Sequence, residues 1–149
     1  MKELLLVFIS GLLGGLMGFL ASSWSSIYTA KATNFTKRID EICNAIDYLV
    51  ENSCKYWILT SESAKQKEIV PLIIGQTAKI RILLEYLDSE YKNFDSKSIK
   101  EKLHEFNSAC TGDNFGGVDN NIDPDRQRKI IINGEKLKID LLKVLEKKI

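Results

Sequence analysis

The stretch from residue 4 to residue 21, LLLVFISGLLGGLMGFLA, contains no charged residue, and Ser10 is its one polar side chain. About 18 residues at about 1.5 Å each span roughly 27 Å, which is close to the hydrocarbon thickness of a bilayer. The stretch therefore predicts a single membrane-spanning helix, within an N-terminal segment of residues 1–33.

The same stretch has a second interpretation as a secretory signal peptide, because Lys2 supplies a minimal basic region in front of it. However, the apolar run is longer than the usual core of such a signal. No good cleavage site between small residues follows it directly. We therefore favour a helix that stays in the membrane as an anchor.

The basic residues on the two sides of the run predict the orientation. Only Lys2 precedes the run, whereas Lys31, Lys37 and Arg38 follow it. Because the cytoplasmic side of a span carries the excess of lysine and arginine, residues 34–149 are expected in the cytoplasm. The predicted location is the inner (cytoplasmic) membrane.

Three residues directly after the run are typical of a membrane interface. Trp24 and Tyr28 have amphipathic rings that prefer the headgroup layer, and Lys31 is the first charged residue beyond them. The alternative is that the two aromatic residues lie in a short linker.

Four glycines lie inside the run and form two overlapping GxxxG patterns, Gly11 with Gly15 and Gly14 with Gly18. Glycine at this spacing allows a second helix backbone to approach closely. The pattern predicts a homo-oligomer that assembles through this helix, with a narrow apolar pore as one form of it. The alternative is that glycine is simply common in membrane helices.

Residues 34–149 show four amphipathic helical patterns and no strong strand pattern, which predicts an all-α domain built as a four-helix bundle. The first runs over residues 35–57, with Asn34 or Thr36 as its cap. The second covers residues 63–91 and includes Pro71, which predicts a kink or the first turn of a new helix. Its segment 69–74 is apolar nearly all round, which is typical of a central, buried helix.

The third and fourth helices have clear start and stop signals. The third starts near Asp95 or Ser96 and ends at Gly112. Asp123 before Pro124 is a cap followed by a proline in the first helical turn, which predicts the start of the last helix. The apolar residues of the third helix follow one face: Ile99, Leu103, Phe106 and Cys110.

Composition excludes several classes of protein. The net charge of +1 gives no overall field that favours nucleic acid, and no phosphate-binding glycine motif or other cofactor signature is present. The three cysteines, Cys43, Cys54 and Cys110, are odd in number and widely spaced, so we expect free thiols in a reducing compartment.

Neither a metal site nor a catalytic site is predicted. His104 is the only histidine, so the usual zinc patterns are missing. Asp119, Asn121 and Asp123 have the spacing that opens an EF-hand loop. However, that motif needs glycine where Pro124 stands, and it needs glutamate at the twelfth position of the loop, where this chain has none. We therefore expect no cofactor and no enzyme activity, with His104 as the one candidate for a catalytic role.

Two features are candidate contacts for a partner or ligand. Phe115 lies in the glycine- and asparagine-rich loop of residues 111–123, and it either packs on its own domain or contacts a partner protein. Arg126, Arg128 and Lys129 form a basic cluster. They would bind a phosphate group if they met a second cluster, which consists of Lys97, Lys100 and Lys102.

The overall plan, one N-terminal span followed by a compact helical cytoplasmic domain, resembles small membrane proteins of bacterial antiphage defence loci. The membrane accessory proteins of type VI CRISPR systems are one example. The resemblance implies a ring-forming membrane effector that depolarises the cell when a cytoplasmic sensor is triggered. The alternative function is a membrane-tethered module that recruits a cytoplasmic protein partner without forming a pore.

Overall fold

The computed structural model describes residues 2–59, 64–91, 94, 96–112, 115–116 and 123–146, with the backbone alone for residues 2–9, 64, 124 and 146. Four α-helices run through this part of the chain: α1 (Lys2–Ile58), α2 (Ala64–Glu90), α3 (Ser96–Thr111) and α4 (Pro124–Glu146). No strand occurs among these residues, so the prediction of an all-α fold is confirmed.

Helix α1 is continuous where the sequence predicted two helices. The predicted cap at Asn34 or Thr36 is wrong, because the Thr36 hydroxyl donates to the carbonyl of Ala32, one turn earlier in the same helix (3.1 Å). Thr29 makes the same bond to Ser25 (2.9 Å). No glycine or proline lies between Gly18 and the end of α1 to interrupt the helix. The sequence predicted five helices, one span and four in the bundle, whereas the described residues form four.

The chain divides into two compact units, residues 1–37 and 38–149, and the division falls inside α1 a few residues after the predicted boundary at residues 33 and 34. Among the residues whose side chains are described, no helix is long and apolar enough to cross a membrane. The side chains of residues 4–9, the first part of the predicted span, lie outside the described residues.

The core of the second unit is built from one apolar face of each helix. The predicted face of α3 is confirmed, since Ile99, Leu103, Phe106 and Cys110 are all buried. Removing each large apolar side chain from water stabilises the fold by about 1.5–3 kcal/mol. The other helices contribute Ile39, Ile42, Ile46, Leu49, Tyr56, Trp57, Ile73, Ile80, Leu84, Leu87, Ile130, Leu137 and Leu141.

Helices α1 and α4 of this unit run in opposite directions. Lys138 of α4 donates to Asp47 of α1 (2.6 Å), and Arg126 of α4 lies over Trp57, further along α1. Residue numbers thus rise along α1 and fall along α4, which makes the two helices antiparallel.

Helices α1, α3 and α4 approach one another closely at Gly134, which is buried. A Cβ at this position would lie 2.7 Å from Cγ2 of Val50 on α1 and 3.3 Å from the ring of Phe106 on α3. Glycine is therefore required by the close approach of the three helices.

Helix α2 departs from its prediction. Pro71 lies inside the helix, well after its start at Ala64, so it does not begin a new helix. Of the apolar segment 69–74 only Ile73 is buried, whereas Pro71, Leu72 and Ile74 are exposed. The expectation of a central, buried helix is wrong, because α2 packs through one face and leaves another apolar face in solvent.

Candidate functional site

The four predicted assembly glycines lie on an open surface. A Cβ built on Gly11, Gly14, Gly15 or Gly18 would meet nothing within 4 Å. A second helix therefore has access to the backbone at all four positions, which is the geometry that GxxxG association needs. Association itself stays a prediction.

The glycine surface continues beyond the predicted span. Small residues recur at alternating intervals of four and three, so they lie along one side of α1 in the pattern of a coiled-coil seam. We call this set the small-residue face; its members are Gly11, Gly15, Gly18, Ser22, Ser25, Thr29 and Ala32. The sequence analysis found only the glycines of this face, although the serines continue the same spacing.

The other side of the first unit is large and apolar. At 100° per residue the exposed bulky side chains fall within about half a turn of the helix, opposite the small-residue face. The predicted interface residues Trp24 and Tyr28 belong to this side and are 80% and 71% exposed, and Lys31 is exposed as well. The remaining members are Leu12, Leu13, Leu16, Met17, Phe19, Leu20 and Ile27.

A second candidate site lies in the other unit, where α1 ends. The indole N–H of Trp57 donates to the carbonyl of Cys110, near the end of α3 (2.8 Å). The guanidinium of Arg126 lies 4.2 Å from the centre of the Trp57 ring. We call these residues, with Tyr56 and Phe115, the Trp57 cluster.

Phe115 packs on its own domain, which is the first of the two predicted alternatives. Its ring centre is 4.9 Å from that of Tyr56, and the neighbouring Gly116 N–H donates to the Tyr56 hydroxyl (2.7 Å). Tyr56 also meets Trp57 edge to face at 5.1 Å. These contacts fix one end of the loop to α1.

Arg126 fixes the other end of the loop. Asp123 accepts from the backbone N–H of Arg126 (3.0 Å) as the cap of α4, and its second oxygen lies 3.3 Å from Nε of the same residue. Nη1 of Arg126 is fully buried without a hydrogen-bond partner among the described residues. It packs against Gly112, whose φ of +58° ends α3, as predicted.

The expected basic patch does not form. Lys102 pairs with Asp140 of α4 (3.4 Å), which lies roughly 17–21 Å along the helix from Arg126, Arg128 and Lys129. The two basic clusters therefore lie at different ends of the antiparallel α3–α4 pair. Lys100 is also engaged, with Asp88 (2.8 Å).

The thiols are poorly suited to chemistry. Burial raises the pKa of Cys110 to about 12. Burial also raises the pKa of Cys43 and of Cys54. Because the thiolate is the reactive form, all three are weak nucleophiles at neutral pH.

Metal-binding geometry is missing from the described part of the chain, where no group of three His, Cys, Asp or Glu side chains could hold an ion. His104 is exposed on α3. Asp119 and Asn121, which opened the rejected EF-hand pattern, lie outside the described residues.

The sequence analysis missed Arg126 as a structural residue, the partner of Trp57, since cation–π pairs between distant residues leave no local signal. It also missed the apolar face of α2, although the residues of that face recur at helical spacing: Pro71, Ile74, Gly75, Ala78 and Ile82.

No family model, curated protein or solved structure matches the chain.

Proposed function

We propose that the chain is a self-associating single-pass protein of the inner (cytoplasmic) membrane, with residues 38–149 in the cytoplasm. The observation that supports this most is the uncharged run of residues 4–21. Burying its leucines and phenylalanines in lipid gains about 25 cal/mol per Å² of apolar surface. The exposed bulky side of the same helix, including Leu12, Phe19 and Leu20, suits contact with lipid tails.

The small-residue face is the proposed assembly surface. Between helices in lipid the hydrophobic effect gives little drive, so close van der Waals packing at glycine and serine decides association. A face of this kind on one side and bulky residues on the other divides the helix into a helix-contacting half and a lipid-contacting half. Copies in the same membrane would associate with their α1 helices parallel.

We further propose a non-enzymatic role in which assembled copies act on the membrane as an effector or signalling component of bacterial antiphage defence. The support is the resemblance of the whole plan to small antiphage membrane proteins. An apolar pore between assembled helices would open by wetting.

Fractionation tests the anchor first. The full chain should remain in the membrane pellet after alkaline carbonate extraction, and a charge in the run (Leu13→Arg) should release it. Recovery of the unaltered chain in the soluble fraction would refute the anchor.

A membrane-potential dye in expressing cells tests the effector. Gly14→Ile and Gly15→Ile should abolish depolarisation, because Gly15 belongs to the small-residue face and Gly14 lies at its edge, so each new side chain keeps the second helix away. The matched control is Leu13→Ile, an apolar exchange on the opposite side, which should leave depolarisation unchanged. A potential that stays intact in cells with the unaltered chain under phage infection would exclude the pore.

The exposed apolar face of α2 favours a second candidate function, a membrane-tethered module that recruits a cytoplasmic protein. Exposed apolar patches rimmed by charge commonly mark protein interaction sites. In that case Ile82→Glu on α2 would abolish the cellular phenotype, whereas Gly14→Ile would leave it intact.

A further inference from the structure

Helix α2 is held to the core unevenly along its length. Its second half, residues 79–90, contacts both α1 and α3. The guanidinium of Arg38 on α1 lies 5.5 Å from the centre of the Tyr86 ring. Lys100 of α3 pairs with Asp88 (2.8 Å). Three apolar side chains of this half are fully buried: Ile80, Leu84 and Leu87.

The first half of α2, residues 64–78, buries much less. Among its described side chains only Gln66 and Ile73 are buried, and Gln66 is polar. The other large apolar side chains of this half are half-buried or exposed: Ile69, Val70, Leu72 and Ile74. Because packing of an apolar face supplies most of the stability of a helix in a protein, the first half is held more weakly than the second.

Two polar side chains of the first half oppose its packing. Oε1 of Gln76 and Oγ1 of Thr77 are buried without a hydrogen-bond partner among the described residues. Thr36 on α1 differs, since its hydroxyl donates to the preceding turn. A buried polar atom without a partner loses its hydration and gains nothing in return, so release into water favours both side chains.

The backbone of the first half is also a weak helix. Pro71 has no N–H group to donate to the carbonyl of Lys67, one turn earlier. A Cβ at Gly75 would meet nothing within 4 Å, so no close approach requires glycine there, and it lowers the helix propensity. A segment of about 15 residues is marginal as an isolated helix even without these two residues. Once the first half leaves the core, it therefore loses its helix as well.

We propose that residues 64–78 of α2 form a hinged segment that leaves the core and unfolds while the rest of the second unit stays folded. The hinge lies just before Ile80, where firm burial begins. In the open state Gln76 and Thr77 bond to water, and Ile73 becomes accessible. The segment is a conformational switch, since a partner that binds only the open state shifts the equilibrium towards it. This inference concerns the second unit alone and does not depend on the proposed membrane function.

Hydrogen exchange of the full chain in mild detergent, followed by mass spectrometry of its peptides, measures the opening. Where closing is faster than exchange, the rate of exchange is proportional to the fraction of open molecules. We expect the amides of residues 69–78 to exchange at least about a hundredfold faster than those of residues 80–88. Urea should accelerate the second set steeply and the first set little, because local opening exposes less surface than unfolding of the whole unit.

Two substitutions should keep the segment closed for different reasons. Thr77→Val replaces the unpartnered hydroxyl by a methyl group of the same shape and should slow the exchange of residues 69–78 by about tenfold. Pro71→Ala restores a backbone donor inside the helix and should slow it by at least about tenfold. Thr36→Val, the matched control, makes the same change of side chain on α1 and should leave this exchange unaltered.

Ile130→Val separates local opening from unfolding of the unit. The small cavity that it makes in α4 lowers the stability of the core, so residues 80–88 should exchange about three- to tenfold faster. Residues 69–78 should keep their rate, because their opening leaves Ile130 buried. An equal acceleration of both sets would refute the hinged segment, since α2 would then open only with the whole unit. A single rate for both sets in the unaltered chain would refute it too, because α2 would then move as one piece.

Discussion

Gly112 and Gly116 both have positive φ, +58° and +78°, but only Gly112 has no room for a side chain. A Cβ at Gly112 would lie 1.3 Å from Nη1 of Arg126, whereas a Cβ at Gly116 would meet nothing within 4 Å. Gly112→Ala therefore adds a steric clash to the backbone strain of about 1–2 kcal/mol that both changes carry.

We expect Gly112→Ala to lower the free energy of unfolding by more than Gly116→Ala does, and to move Arg126 away from Trp57. The emission of Trp57, measured in a Trp24→Phe background, should change in the first variant and stay the same in the second. Equal losses of stability and unchanged emission in both would show that Arg126 does not depend on Gly112.

Gly134 and Gly75 form a matched pair for measuring close packing. Alanine gains about 1 kcal/mol over glycine in either helix through lower backbone entropy. At Gly75 the new methyl group meets nothing, whereas at Gly134 it lies 2.7 Å from Val50. We expect Gly75→Ala to raise the free energy of unfolding, measured in urea. The free energy of unfolding of Gly134→Ala should be about 1–3 kcal/mol lower than that of Gly75→Ala. A Gly134→Ala variant as stable as Gly75→Ala would contradict the close packing of the three helices.

At the scale of the element, Asp123 controls the start of α4. Its backbone hydrogen bond from Arg126, the largest cause, lowers the pKa of this carboxyl below its ordinary value of 3.8. A carboxyl with a lowered pKa stabilises the fold above its unfolded pKa, and the contribution is lost as the pH falls through the folded value. Asp123→Ala should therefore lower the free energy of unfolding at pH 7, measured by urea unfolding.

The matched variant is Asp123→Asn, which keeps an oxygen for the cap but cannot titrate. It should retain most of the stability at pH 7 and lose less than the unaltered chain between pH 4 and pH 2. An identical loss in both chains over this range would show that other carboxyls, such as Asp140, dominate acid unfolding.

The ends of α3 and α4 could be predicted from the sequence, because the cap is formed by residues only a few positions apart. Asp123 before Pro124 and the glycine at residue 112 each carry their own signal. The same reasoning failed at Thr36, since threonine fits a helix interior equally well when its hydroxyl bonds the preceding turn. A capping residue predicts a helix start only where the preceding chain cannot continue the helix.

Burial was harder to predict than helix formation. The apolar segment around Pro71 and Ile74 has the composition of a buried helix, but the face of α2 that enters the core is set by its neighbours α1 and α3. Similarly, Phe115 could be identified as a docking residue, although its partner Tyr56 is almost sixty residues away in sequence. Contacts between distant residues depend on the packed helices, and local patterns do not encode them.

At the scale of the whole molecule, the sequence predicted the two-part organisation from one contrast, an uncharged run followed by charged amphipathic helices. It placed the boundary where the membrane segment was expected to end, whereas α1 passes through that point without interruption. The division falls at residues 37 and 38 instead, and the buried residues from Ile39 to Leu141 belong to the second unit.

Cys110 provides a measure of the stability of that core. Its thiol is fully buried, and its pKa of about 12 keeps it protonated at pH 8, so alkylation requires the unit to open. Cys54 is only partly buried and should be alkylated much faster in the folded chain. With a stability of at least about 5 kcal/mol, Cys110 should react at least about a thousandfold more slowly in the folded chain than in the urea-unfolded chain.

The free energy of unfolding should also fall between pH 9 and pH 12, because the thiol of Cys110 releases its proton in this range when unfolded and holds it when folded. Mass spectrometry of alkylated peptides, with Cys110→Ala as the reference for the pH profile, checks both outcomes. Rapid modification of Cys110 at neutral pH without denaturant would show that the helices around it do not form a stable core.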